Sequence, residues 1–376
     1  MCSQRVSDRP LRYLPELVVR PDKTATALHT FAITTPFRWL DLRSMCEITG
    51  IPVGPLGFGL MGFTWRPVVL PEEEAFKVMK EAIDLGANFI NSGEFYANED
   101  RTLNLKYVRR FFEKYPEYAD KTVLSVKGGM NLTTFQPDSS PEGIRTSVEN
   151  VISCLGDAKK LDIFEAARVD PKVPIETTMK ALTELIAEGK VGGISLSEVG
   201  AATIRRAAAV AKISAVEIEY SMYSVEALSN GVLETCAELG IPVIAYSPLG
   251  RGFLTGQIKS RADLPPNDMR LHFDRFSEEN FGLNIKLLHE VENLAKVKGV
   301  TPAQFALAWI KKHEEKIPGL TIIPIPGATK IERVQENFAK IDPLTDEEFK
   351  DIGDILQKIE VRGGRYNSHH EALLWA

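Results

Sequence analysis

Cysteine is scarce in this 376-residue chain, and the four present, Cys2, Cys46, Cys154 and Cys236, lie far apart. With no C-x-x-C pair and no apolar leader, they read as free thiols in a reducing compartment, which points to the cytoplasm. No apolar run approaches the ~20 residues of a membrane-spanning helix, so no membrane role is expected, and the sequon Asn131-Leu132-Thr133 reads as coincidence. A basic surplus is missing too. The formal net charge is -6, which offers nothing to neutralise a phosphodiester backbone and excludes a dedicated nucleic-acid binder. No G-x-S-x-G elbow presents a nucleophilic serine. Hydrophobic residues make up 44% of the chain, enough for a large buried core.

Residues 1–44 differ in texture, with seven Arg or Lys against four acids and no sustained period. They read as an extension, disordered or added by an upstream start; Asp8, Glu16 and Asp22 speak against a mitochondrial presequence. The fold is expected over 45–365, with a tail at 366–376.

What is present begins with GFGLMG, Gly57 to Gly62, which has the G-x-G-x-x-G spacing of a dinucleotide-binding turn. That motif works only where its last glycine opens a helix and an acid ends the next strand. Here FTWRPVVLPEEE follows, and Pro67 and two valines delay any helix until Pro71. The glycines therefore read as part of a strand and tight turn.

From about residue 53, short strand-like runs alternate with amphipathic segments. The runs are Val53 to Gly59, Asn88 to Gly93, Thr122 to Gly128, Leu161 to Ala167, Val191 to Ser197, Ala215 to Ser221, Pro242 to Ser247 and Thr321 to Gly327. Eight such units predict an α/β fold, a closed (β/α)8 TIM barrel whose active site lies at the C-terminal ends of the strands. The seventh unit carries the longest insertion, a candidate binding loop. Pro324 and Pro326 predict that the last strand breaks off into a turn.

Polar residues at those strand ends are the functional candidates. Tyr96 follows the second strand, and Lys127 closes the third. A lysine beside a tyrosine can lower the phenol's pKa and make it a proton donor, although a rim tyrosine is ordinarily a packing residue. Ser197 and Glu198 at the fifth strand, with Glu217 and Tyr220 on the sixth, can hold an amide or can simply be solvated. Gly327, Thr329, Lys330 and Arg333 form a glycine turn into a helix N-terminus, a natural phosphate cradle. Ser247, Leu249 and Arg251 belong to a second glycine-rich segment. None of the six histidines, His29, His272, His289, His313, His369 and His370, falls at a strand end. No metal site is expected, because the His369-His370 pair has no third ligand nearby in sequence.

The segments GFGLMGFTW, FINSGEFY, SVKGG, LDIFEAARVD, GISLSEV, EIEYS, AYSPLGRGFLTG and PIPGATKIERVQEN, in this order, resemble the aldo-keto reductases over about Ile51 to Arg365. Within that family the likeness is to the fungal pyridoxal reductases. The resemblance implies Tyr96 as general acid and Lys127 as its partner. Asn91 stands where the family has aspartate, and Ala167 where it has histidine. Asn91 supplies no charge, which implies a less tightly held Lys127. Ala167 cannot bond a carbonyl, which implies a substrate that brings its own polarising group. Ser197, Glu198 and Glu217 would hold a nicotinamide carboxamide, the last two in place of the family's Asn and Gln. Tyr246 would stack on the ring, and Lys330, Arg333 and Asn337 would grip the adenosine end. The expected cofactor is NADPH, since Lys330 and Arg333 suit a 2'-phosphate, and the expected partner is a small-molecule aldehyde, pyridoxal above all. A general aryl-aldehyde or aryl-alcohol oxidoreductase and a non-catalytic NADPH-binding regulatory subunit are the alternatives. Nothing in the sequence fixes an oligomeric state.

Overall fold

The computed structural model describes residues 46–366 and 371–376. The expected extension 1–44, residue 45 and the pair His369-His370 lie outside the described residues. The chain enters as a hairpin, β1 (Cys46–Ile48) and β2 (Ile51–Val53), turned by Thr49 and Gly50, which both have positive φ of 52° and 84°. That backbone matches the right-handed twist of two antiparallel strands.

Eight parallel strands follow: β3 (Phe58–Gly59), β4 (Phe89–Gly93), β5 (Val123–Gly128), β6 (Ile163–Ala166), β7 (Gly193–Ser197), β8 (Ala215–Glu219), β9 (Val243–Tyr246) and β10 (Ile322–Pro324). Each pairs with the next in a single eight-stranded sheet. All eight fall inside the runs expected from the sequence, and the architecture is the TIM barrel. The first run is shorter than expected, because Val53 belongs to the hairpin and Gly54, Pro55 and Gly57 interrupt the ladder. The ring closes where the Gly57 N–H donates to the Pro324 carbonyl at 2.9 Å. At this seam a Cβ on Gly57 would stand 2.9 Å from Ile325 Cγ2, and also 2.7 Å from the Phe89 carbonyl oxygen on the neighbouring β4, and one on Gly327 would stand 2.9 Å from the Gly59 carbonyl oxygen. The glycines of GFGLMG and PIPG are thus what two backbones require to touch.

Alternation along the strands positions the site. Outward residues such as Ile90, Leu124, Phe164, Ile194, Val216 and Ile218 are buried beneath the helices. Inward residues change character with height. The lowest, Phe89, Val123, Ile163, Ala215, Ile244 and Ile323, pack with Ile48 and Val53 of the hairpin, which plugs the N-terminal end of the barrel. One step higher stand Asn91, Ser125, Glu165, Ser195 and Glu217, all buried. The next step holds Gly93, Lys127, Ala167, Ser197, Glu219 and Tyr246. The interior is therefore apolar below and ionic above.

The long insertion after β9 spans four short 3-10 turns before the helix Glu278–Lys298. It is anchored by a stack of aromatic rings, Tyr223 on Phe253 at 4.7 Å and Phe253 on Phe276 at 4.5 Å. Among the described residues no helix is long and apolar enough to cross a membrane, and no cluster of His, Cys, Asp or Glu is placed to hold a metal.

Gly57→Ala is expected to destabilise the barrel by about 1–3 kcal/mol, the usual consequence of forcing extra volume into close-packed structure. Chemical denaturation should show it, whereas the same change at Gly353, where an added Cβ meets nothing within 4 Å, should leave the midpoint near that of the parent.

Candidate active site

Tyr96 is held from behind. Its ring lies against Gly93, where a Cβ would come within 2.7 Å of it. Its carbonyl accepts from the Thr64 hydroxyl, which accepts in turn from Asn104 Nδ2 at 2.7 Å. Asn104 also donates to the Leu60 carbonyl at 3.0 Å, so the segment after β3 and the helix Leu103–Lys114 together fix the tyrosine. Lys127 acts on the Tyr96 hydroxyl chiefly through its charge. Burial pushes the phenol's pKa up and Lys127 pulls against it, with the net shift upward. Tyr96 is a protonated phenol at neutral pH.

Lys127 is almost wholly enclosed, and it is not loosely held. Its ammonium is paired with Glu217 Oε1 and lies 3.0 Å from Glu165 Oε1. Burial opposes its charge, but the two glutamates outweigh it and raise the lysine pKa well above its usual value. The Asn91 amide is spent on the glutamates, donating to Glu217 Oε2 at 2.6 Å and to Glu165 Oε2 at 3.3 Å. Charge absent from β4 has been supplied by β6 and β8. Glu217, expected to hold a carboxamide, is committed to this ionic layer.

Glu198 is engaged as well. At φ 56° it turns its carboxylate to Arg365, which grips both oxygens at 3.0 and 2.8 Å. It also accepts from the Tyr246 hydroxyl at 2.7 Å, and that hydroxyl meets the one of Tyr366 at 2.9 Å. Arg251 pairs with Glu219 at 2.8 Å and lies over the Tyr366 ring at 4.3 Å. The Trp375 N–H donates to the Glu198 carbonyl and the Gly200 N–H to that of Ala376. The segment expected as a tail is thus packed, in its described part, on the mouth of the barrel. Glu198, Ser247, Arg251 and Trp375 all carry positive φ, and backbone strain of this kind collects at functional sites.

Phe95, Tyr96 and Ala167 form one buried cluster, against which Trp65, Met130, Leu132 and Phe135 pack. The Trp65 ring lies 5.7 Å from that of Tyr96, and Phe95 meets Phe135 edge-on at 5.9 Å.

The barrel that carries this mouth is matched by the comparisons with known proteins. The model of the aldo/keto reductase family matches residues 55–357. The chain belongs to this family. Among its relatives it is similar to "Probable pyridoxal reductase 2" of Schizosaccharomyces pombe, 42% identical and covering 87% of this chain and 98% of that protein. It is 35% identical to the same organism's "Aldo-keto reductase yakc [NADP(+)]", over 84% of this chain and 92% of that one. A solved structure, the glycerol dehydrogenase AKR11B4 of Gluconobacter oxydans, superposes with a TM-score of 0.72 at 23% identity, covering 85% of this chain and 97% of that one; it shows the shared fold.

As an aldo/keto reductase the protein is an oxidoreductase, and the mouth fits the nicotinamide cofactor the family uses. The Ser197 hydroxyl is buried with no hydrogen-bond partner, an open donor and acceptor for a carboxamide. Lys330 is exposed at the start of the helix Ile331–Phe338. Arg333 beside it is half-exposed and pairs with Glu336. The Gln257 side-chain oxygen, in the orientation that satisfies both groups, accepts from Arg333 at 3.0 and 3.2 Å, which brings the long insertion to the cradle. Thr329 and Gly327 line the turn, Leu249 is buried beneath the insertion, and Asn337 is buried on the same helix.

Sequence reasoning missed Glu165, Glu219, Arg365, Tyr366 and the aromatic cluster. Period-two register was the available signal for the two glutamates, since Glu165 is in phase with Ile163 and Ala167, and Glu219 with Glu217.

Burial alone would raise the Glu198 pKa, yet Arg365 and Arg168 hold it below its ordinary value. Arg365→Met is expected to destabilise by about 3–5 kcal/mol, because one buried charge is left unpaired, and adding Glu198→Gln should restore part of the loss. A carboxylate with a lowered folded-state pKa stabilises fully above its unfolded pKa and loses that contribution as the pH falls through the folded one. The gap between parent and Arg365→Met should therefore narrow in acid, as read by urea titrations across pH.

Proposed function

We propose that this protein reduces pyridoxal to pyridoxine with NADPH, Tyr96 giving the proton to the carbonyl oxygen. The observation that carries the reading is the aromatic cluster beside Tyr96, in which Trp65 and Phe135 pack against Phe95 and the small Ala167, flat apolar faces suited to stacking a substituted ring. The relative from Schizosaccharomyces pombe named a pyridoxal reductase supports the same choice. When bound, the nicotinamide supplies the hydride. The chain's own residues orient the ring, exclude water and deliver the proton. Lys127 stabilises the phenolate left behind on Tyr96. A histidine at position 167 would have polarised the carbonyl; pyridoxal's ring hydroxyl, adjacent to its aldehyde, does this by an internal hydrogen bond.

Aromatic faces of this kind suit other aromatic aldehydes too, so the comparison substrates are benzaldehyde and, as a non-aromatic control, a sugar aldehyde. Tyr96→Phe should abolish turnover and keep NADPH binding, measured by cofactor fluorescence. An analogue of pyridoxal with its ring hydroxyl methylated should react more slowly in the parent, and Ala167→His should narrow the difference. Equal rates for the two substrates in the parent protein would remove substrate assistance from the account.

The preference for NADPH rests on Lys330 and Arg333 at the cradle. Arg333→Ala should weaken NADPH far more than NADH, by roughly 1.5–3 kcal/mol for one lost charged hydrogen bond. Steady-state KM values for both cofactors measure it, and a uniform effect would set the 2'-phosphate contact aside.

A further inference from the structure

Glu165 is a fully buried carboxylate in the barrel interior that the reaction outlined above does not use. Glu217, on the strand two places along the sheet, is equally buried. Both reach the same ammonium, Lys127, and both accept from the same amide, Asn91 Nδ2. The Ser125 hydroxyl donates to Glu165 at 3.2 Å. Two carboxylates therefore face one cation in a compartment floored by the apolar layer of Phe89, Val123 and Ile163. Two anions crowded against one cation away from water disfavour full ionisation of both.

We propose that Glu165 and Glu217 hold one proton between them and act as both the counter-charge and the proton store behind Lys127 and Tyr96. The idea rests on the reading of Tyr96 as the proton donor. The groups facing the pair are Asn91 on β4, Ser125 and Lys127 on β5, and Ser195 and Ser197 on β7; Tyr96 and Tyr246 lie beyond Lys127. Glu219, one step higher on β8, is neutralised by Arg251. Among the described residues, Lys127 is the cation paired with either glutamate. Burial and the neighbouring Glu165 charge raise the Glu217 pKa well above its usual value, against the pull of Lys127.

The proton account balances without any further reagent. Tyr96 breaks its O–H bond as the substrate oxygen gains one. The phenolate takes a proton from the Lys127 ammonium, and Lys127 takes the shared proton from the carboxyl pair. The pair, now doubly anionic, regains a proton from water when product leaves. Burial raises the proton affinity of the Tyr96 phenolate above that of an ordinary phenol, which favours its reprotonation. Glu165 is in this scheme a positioning and storage residue, since it meets Lys127 and not the substrate.

The first test needs no turnover. Infrared difference spectra of the full-length protein report the C=O stretch of a protonated carboxylic acid. Glu94, buried and shifted upward mainly by burial, can add to such a band, so variants make the assignment. The parent at neutral pH should show the band, and Glu165→Gln and Glu217→Gln should each lose the same component of it. In turnover, the parent's kcat should fall on the alkaline side as the pair loses its proton. Glu165→Gln should lack that limb with little change in KM for the aldehyde. Asn91→Asp adds a negative charge without removing either glutamate; it should move the limb to higher pH and serves as the second variant if a glutamine variant does not fold. A parent without the band, or a band and pH profile untouched by both glutamine variants, overturns the proposal. A band that behaves as described in a protein that turns over no aldehyde upholds the shared proton and overturns the reading of Tyr96.

Discussion

A lysine ammonium inside a closed barrel is the constraint around which this protein is arranged. Lys127 stands on β5, in a compartment whose lower half is hydrocarbon, and a bare charge there is strongly disfavoured. The compensation comes from strands distant in sequence: Glu165 on β6, Glu217 on β8 and the amide of Asn91 on β4, which holds the two carboxylates in place. The ionic layer in turn dictates what lies beneath it. The hairpin of β1 and β2 inserts Ile48 and Val53 among the first inward residues of the strands, which keeps water from the lower end of the layer and leaves one route to the lysine, from the mouth where Tyr96 stands.

Much of this was legible in the sequence because it is local. Eight runs of strand-forming residues separated by amphipathic helices specify a parallel barrel, and Tyr96 and Lys127 are conspicuous as polar residues at strand ends. The rest was illegible because it depends on which residues face each other across the ring. Glu165 sits in LDIFEAA, a run that reads as a buried strand; only the period-two register turns it inward. Glu217 was visible as a polar residue on a strand, but its partner is 90 residues earlier, and no spacing rule spans that distance. Asn91 was read as a weakened contact to Lys127, whereas its value lies in donating to two carboxylates at once.

The C-terminal segment illustrates a second kind of illegibility. Arg365 and Tyr366 follow a helix end and look like the beginning of a tail. Their destination is set by Glu198 and Tyr246 at the mouth, and Arg365 is nearly solvent-free there. Tyr366 links Arg251 to Tyr246, so the glycine-rich loop after β9 and the last residues of the chain are mechanically one unit. A carboxylate at position 198, where the family has an amide, is explained by this guanidinium: the side chain serves a protein partner as well as the cavity.

The glycine seam between β3 and β10 has a thermodynamic consequence. Strands β4 and β5 share a ladder of five residue pairs, whereas the seam is made by the Gly57 hydrogen bond and bare backbone contact. Local stability is uneven in proteins, and partial opening begins where the fewest bonds must break, so the sheet parts first here. The same seam runs directly into the turn at Gly327, and Gly62 of the opposite edge faces Thr329 across it, an added Cβ there lying 3.9 Å from the Thr329 methyl. A ligand bridging these edges acts as a staple on the most easily parted staves. Its binding energy is thereby linked to the cohesion of the whole barrel, and protection of the Gly57 amide against hydrogen exchange becomes a gauge of how full the cradle is.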